Sequence, residues 1–84
     1  MYSVETEQDA LKQVAALPAD ALASYAEIMA LLEVAPWSGD AYNRERPDAN
    51  MRAHGFGEQG EGLVIYLILE DQRRVIVLRA IWVG

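Results

Sequence analysis

Eighty-four residues allow one small domain, and 52% apolar against 24% charged residues is enough to build a core, which excludes a disordered tail. The longest uninterrupted apolar run, Leu63 to Leu69, has seven residues, far short of the ~20 that a membrane-spanning helix needs. The net charge of −6 argues against a simple polyanion binder. The absence of cysteine excludes a disulfide framework and a thiolate zinc site. Met1 to Asp9 carries three acids and no basic cluster, so no signal peptide is expected and the expected location is the cytoplasm.

The charge is unevenly spread. Lys12 stands alone against seven acids in residues 1–40, whereas all six arginines lie in residues 41–84, balanced there by six acids. Planar guanidinium grips phosphate or carboxylate in two-point geometry, so the second half is where an anion would be met.

In chain order, Tyr2 to Glu5 alternates like a short strand. Thr6 with Asp9 resembles a capping box, and a helix fits Glu7 to Ala16 with Leu11, Val14 and Ala15 on one side. Leu17-Pro18 breaks it, and Pro18 suits the first turn of a second helix that runs to Val34. There Leu22, Tyr25, Met29 and Leu32 recur at helical spacing. The short connection predicts an antiparallel helical hairpin. Ala35 to Asn50 is punctuated by Pro36, Gly39, Asn43 and Pro47 and reads as an irregular loop, with Trp37 and Tyr42 as anchors onto the core.

Met51 to Gly84 is β-rich. Strands are predicted over Met51–Phe56, Leu63–Leu69 and Arg74–Val83, joined by a glycine-bearing hairpin connection and by a turn at Glu70 to Arg73. A symmetric turn sets Tyr66 opposite Val77 and Val64 opposite Arg79. The face with Leu63, Ile65, Leu67, Ile76, Leu78 and Ala80 is then expected to pack on the helices. The opposite face carries Val64, Tyr66, Ile68, Val75, Val77, Arg79 and Ile81 and is expected to meet a partner, or a second copy in a homodimer. Val64, Ile68, Val75, Val77 and Ile81 are therefore the expected partner-binding residues. The fold class is α+β, one domain over residues 1–84.

Imidazole is the one side chain that titrates near neutrality, so His54, the only histidine, is the ready-made acid–base group, with Arg52 on the same strand face. Arg79 interrupts an apolar strand and must reach water, an acid or a ligand. Arg73 and Arg74 add charge beside it, and Tyr66 offers a ring to stack on a base. Gly55, Gly57, Gly60 and Gly62 read as turn chemistry, since neither a βαβ unit nor a Gly-Lys-Ser/Thr follows them. No metal-ligand cluster and no cofactor fingerprint is present.

The order strand, helical hairpin, polar loop and three-stranded meander resembles the RelE/ParE superfamily of bacterial toxin–antitoxin toxins. The segment Arg52…Phe56-Gly57…Gly62-Leu63-Val64-Ile65-Tyr66-Leu67-Ile68-Leu69-Glu70-Asp71, followed by Val75-Ile76-Val77-Leu78-Arg79, carries the likeness together with Ala10-Leu11 and the Leu17-Pro18 break. The resemblance implies a toxin neutralised by an antitoxin wrapped on its surface. It implies a RelE-like endonuclease that cuts messenger RNA in the ribosome without a metal, basic residues holding the phosphate while the 2′-hydroxyl attacks. By position it assigns Arg52, His54 and Arg79 to catalysis and matches Tyr66 to the tyrosine of the central strand; Tyr66, Arg73 and Arg74 are the expected RNA-binding residues. Many relatives open the central strand with Gly-Tyr-Arg where this chain has Gly62-Leu63-Val64. That difference and the acidic balance point to the alternative, a non-catalytic binding module on the same fold, either a ParE-like gyrase inhibitor or an inactive toxin homologue.

Overall fold

A computed structural model describes all residues, Met1 to Gly84. The elements are β1 (Ser3–Thr6), α1 (Gln8–Ala15), α2 (Ala19–Val34), β2 (Asp40–Ala41), β3 (Met51–Phe56), β4 (Gly62–Leu69) and β5 (Arg74–Trp82), with single 3₁₀ turns at Pro36–Ser38 and Glu70–Gln72. They form one five-stranded sheet in the order β1-β5-β4-β3-β2, in which β3, β4 and β5 are the antiparallel meander and β1 pairs parallel to β5. The α+β architecture is as the sequence implies. No helix is long and apolar enough to cross a membrane.

Local chemistry sets the helix ends. The α1 N-cap is Glu7, not Thr6: its carboxylate accepts from the Asp9 N–H at 2.9 Å. Pro18 sits at the α2 N-cap with φ −66° and frees the chain to turn back. The stripe that α2 buries is Ala21, Tyr25 and Leu32, flanked by Ile28 and Met29, whereas Leu22 is exposed. In α1, Ala10 is buried and Leu11 is exposed. In α2 only Leu22 departs from the expected stripe, with Ala21 in its place, while Tyr25, Met29 and Leu32 face the core as expected; in α1 Ala10 takes the place of Leu11 and Val14 packs against the core. Small Ala10 and Ala21 let the helices approach the sheet closely.

The largest correction concerns the sheet. Val64, Tyr66, Ile68, Val75 and Val77 lie in the core against α1 and α2, each at most 1% exposed. Val64, Ile68, Val75 and Val77 are therefore unavailable to a partner, and Tyr66 is unavailable to a base. Both faces of the meander are apolar, so a two-residue period cannot say which one faces inward. The register is as expected near the turn, Tyr66 opposite Val77 and Leu69 opposite Arg74, but it shifts between Ile65 and Tyr66. Beyond that shift Ile65 faces Arg79 and Val64 faces Ala80, which leaves Leu78 as the extra residue of a β-bulge.

The bulge decides where Arg79 points. Strict alternation would place it with Val75 and Val77 inside the core, where an unpaired charge costs several kcal/mol. The inserted residue turns Arg79 outward to solvent and brings Ala80 inward, where it is 3% exposed. The Ala80 N–H donates to Gln13 Oε1 of α1 at 2.8 Å. Gln13 thus gives a backbone donor beside the irregularity a partner.

Candidate functional site

The side of the sheet away from the helices has no element over it. Met51 and Ala53 of β3, Leu63, Ile65 and Leu67 of β4, and Ile76 and Ile81 of β5 share it, as the strand pairing dictates. Of these only Ile65 is buried, and Leu63 is 38% exposed. Arg79 stands directly opposite Ile65 on this apolar floor, exposed and in no ion pair. Ile81 lies on this open face, among different neighbours from those expected.

At one margin, the loop after β2 adds Tyr42, Arg44 and Arg46, which with Met51 and Leu67 line a groove of about 710 Å³. Neither arginine makes an ion pair. Sequence reading treated this loop as irregular and did not single out these two residues. Their position beside the open face follows from the β2–β3 pairing, Asp40 with Ala53 and Ala41 with Arg52.

Arg52 has another task. It lies on the helix side, opposite Tyr66 in the ladder. Its Nε and Nη2 donate to the Gly39 carbonyl at 3.2 and 2.7 Å, and Nη1 donates to Pro47 and Ala49 carbonyls at 2.8 and 3.3 Å. The guanidinium also lies over the Trp37 ring, 5.4 Å from its centroid. It fastens the loop to the sheet. His54 is on the same helix side, its Nδ1 2.8 Å from the Gly55 carbonyl. Arg52 and His54 are therefore two residues apart on one face while Arg79 is on the other. The three expected catalytic residues do not converge.

Tyr66 is held inside by its hydroxyl, which donates to the buried Pro36 carbonyl at 2.6 Å. Burial raises its phenol pKa. Gly39 is required at this point, because a Cβ there would collide with the Tyr66 hydroxyl and the Ala53 carbonyl.

The remaining expected RNA contacts are also engaged. Arg74 makes a bidentate pair with Glu5 of β1, Nε to Oε2 at 2.6 Å and Nη2 to Oε1 at 3.0 Å, and donates to Gln72 at 2.6 Å. The hydrogen bond from Arg74 holds Glu5 below the usual carboxylate range. Arg73, the one non-glycine residue with positive φ, at 52°, stacks over Tyr2 and lies 3.5 Å from Glu70. Glu70 itself was not foreseen as a hub. Its Oε1 accepts from Trp37 Nε1 and from the Tyr2 hydroxyl, both at 2.7 Å, and these bonds lower its pKa. No three His, Asp or Glu side chains gather as metal ligands.

No family model and no curated protein matches this sequence. Solved structures do. The isolated RelE toxin of E. coli superposes with a TM-score of 0.80 at 10% identity, covering 100% of this chain and 86% of that one. The fold is that of the RelE toxins. The toxin–antitoxin complex RelBE2 of Mycobacterium tuberculosis matches with a TM-score of 0.76 at 23% identity over 96% of each chain. The archaeal RelE–RelB complex of Pyrococcus horikoshii matches at 0.67 and 18% identity, covering 99% of this chain and 96% of that one. The RelE fold thus persists here at an identity low enough for the site residues to differ.

Proposed function

We propose that this chain is the toxin component of a toxin–antitoxin pair, that it acts on translation through the open face of its sheet, and that a cognate antitoxin silences it by covering that face. Arg79, unpaired on an apolar sheet face of a RelE fold, is the observation that carries this reading. A charge there has water alone until a target phosphate or an antitoxin carboxylate arrives, and displacing water from the surrounding floor adds a hydrophobic gain to either contact.

Within this reading, ribosome-dependent cleavage of messenger RNA would use Arg79 to bind the scissile phosphate and stabilise its developing charge. Arg44 and Arg46 would grip the strand at the margin. The 2′-hydroxyl oxygen would attack phosphorus as the bond to the 5′-oxygen breaks, the 2′-proton passing to water and a proton from water to the departing 5′-oxygen, which leaves a 2′,3′-cyclic phosphate and a 5′-hydroxyl. A second reading, target binding without cleavage, is favoured by a specific observation: His54 lies on the opposite face and no other histidine exists to take the proton. Gyrase is the other target this second reading allows.

Induced expression in a bacterial host tests these together. We expect growth arrest. Cut transcripts indicate cleavage, intact transcripts with halted protein synthesis indicate a blocked ribosome, and lost DNA supercoiling with continuing translation indicates gyrase. Normal growth with confirmed soluble protein contradicts the toxin assignment.

A further inference from the structure

The outer edge of β1 is unpaired. Ser3 N–H donates to the Arg73 carbonyl and Glu7 N–H to the Val77 carbonyl, both at 2.9 Å. By strand alternation Ser3, Glu5 and Glu7 turn their backbone groups toward β5, and Val4 and Thr6 turn theirs away from the sheet. The edge runs beside α2, where Tyr2, Val4, Thr6, Tyr25, Met29 and Glu33 line a groove of about 380 Å³. One end is fixed by the Tyr2 N–H, which donates to the Glu33 carbonyl at 2.8 Å.

Two side chains in this groove lack full partners. Tyr25 is 7% exposed and its hydroxyl is the one buried side-chain polar atom without a well-formed hydrogen bond, the Thr6 side chain being its only polar neighbour. Such a group is costly, since desolvation is not offset. Glu33 is half-buried and makes no ion pair. Glu7, Asp9 and Glu27 are nearby in sequence on the same acidic half, where Lys12 is the single cation.

We propose that this edge and groove take an extended basic segment of a partner protein as a sixth strand. Its backbone pairs with Val4 and Thr6, a lysine or arginine meets Glu33, and a polar side chain reaches the Tyr25 hydroxyl. Main-chain pairing supplies affinity and the alternate side chains supply selectivity. Glu33 is the one charged side chain lining the groove, and two copies of this chain would each bring a net charge of −6, so a basic segment is favoured over a second copy. The surface is separate from Arg79 and the open face, so the inference stands whichever way the toxin assignment falls.

The test uses the full chain and the peptide acetyl-Lys-Val-Lys-Val-Lys-Val-amide, followed by amide NMR and hydrogen exchange. We expect saturable shifts in Val4, Thr6 and Tyr25 with slowed exchange at the Val4 and Thr6 amides. The Glu33→Gln variant should bind about fivefold more weakly, as for loss of one partly exposed ion pair. A peptide with glutamate in place of lysine, and one N-methylated at alternate residues, should not bind. Equal binding by the N-methylated peptide shows charge attraction without strand pairing and overturns the proposal. So do shifts confined to Ile65 and Leu67 on the open face, or protection of Val4 and Thr6 that rises with protein concentration before peptide is added, which would mark a second copy as the occupant.

Discussion

Tyr66 and Arg52 show how a residue suited to RNA chemistry serves the fold instead. The Tyr66 hydroxyl satisfies a buried carbonyl of Pro36, and the Arg52 guanidinium satisfies three loop carbonyls at once. Tyr66→Phe leaves the Pro36 carbonyl without its donor, and we expect it to lower stability by about 1–2 kcal/mol in urea denaturation. Arg52→Ala should cost about 2 kcal/mol or more, since its hydrogen bonds are charge-assisted. Any loss of toxicity in Arg52→Ala would therefore accompany loss of folded protein. Their roles were not legible in sequence because the partners of Arg52 come from Gly39, Pro47 and Ala49, brought to it by the β2–β3 pairing, and no spacing rule encodes that convergence.

At the scale of elements, punctuation was legible and orientation was not. Gly57, with φ 98°, and Gly60, with φ 75°, mark the β3–β4 connection, and Pro18 marks the start of α2. The β3 limits, Met51–Phe56, agree with the sequence reading because glycine follows and asparagine precedes. The inward face of β4 and β5 was misread because Leu63 to Leu69 is apolar throughout, and Leu78 fills its bulge without any polar signal. The turn between β4 and β5 carries its own prediction. Trp37 and Tyr2 hydrogen bonds hold Glu70 below its ordinary value of 4.5, and Arg74 does the same for Glu5. For carboxylates with a depressed folded pKa, the stabilisation is complete above the unfolded value and is lost as pH falls through the folded one. Stability should thus be level above about pH 5 and decline below it. Glu70→Gln should make that decline shallower, as read from thermal midpoints across pH 3 to 7 (about five values suffice to define the slope). An unchanged slope would show that Glu70 does not contribute to it.

For the molecule as a whole, the two halves divide the labour. The acidic helical half closes one face of the sheet, and the arginine-bearing half leaves the other face open with Arg79 at its centre. Arg73 and Arg74 are held by Glu70 and Glu5 at the β4–β5 turn, so the net-neutral second half still presents unpaired guanidinium at Arg79, Arg44 and Arg46. The architecture was legible as a whole because element order survives at 10–23% identity to solved RelE chains. Of the site residues singled out in the sequence, Arg79 and Ile81 lie on the open face, and the apolar side chains around them offer no charged pattern from which a motif could be read.

Arg79→Glu tests the central claim most directly, because the side chain is exposed, makes no ion pair and should leave stability within about 0.5 kcal/mol of the unchanged chain. Growth after induction is the measurement, with soluble folded protein verified at equal level. The open-face account predicts arrest by the unchanged chain and normal growth with Arg79→Glu. Equal arrest by both would contradict it and place the toxic surface elsewhere on the molecule.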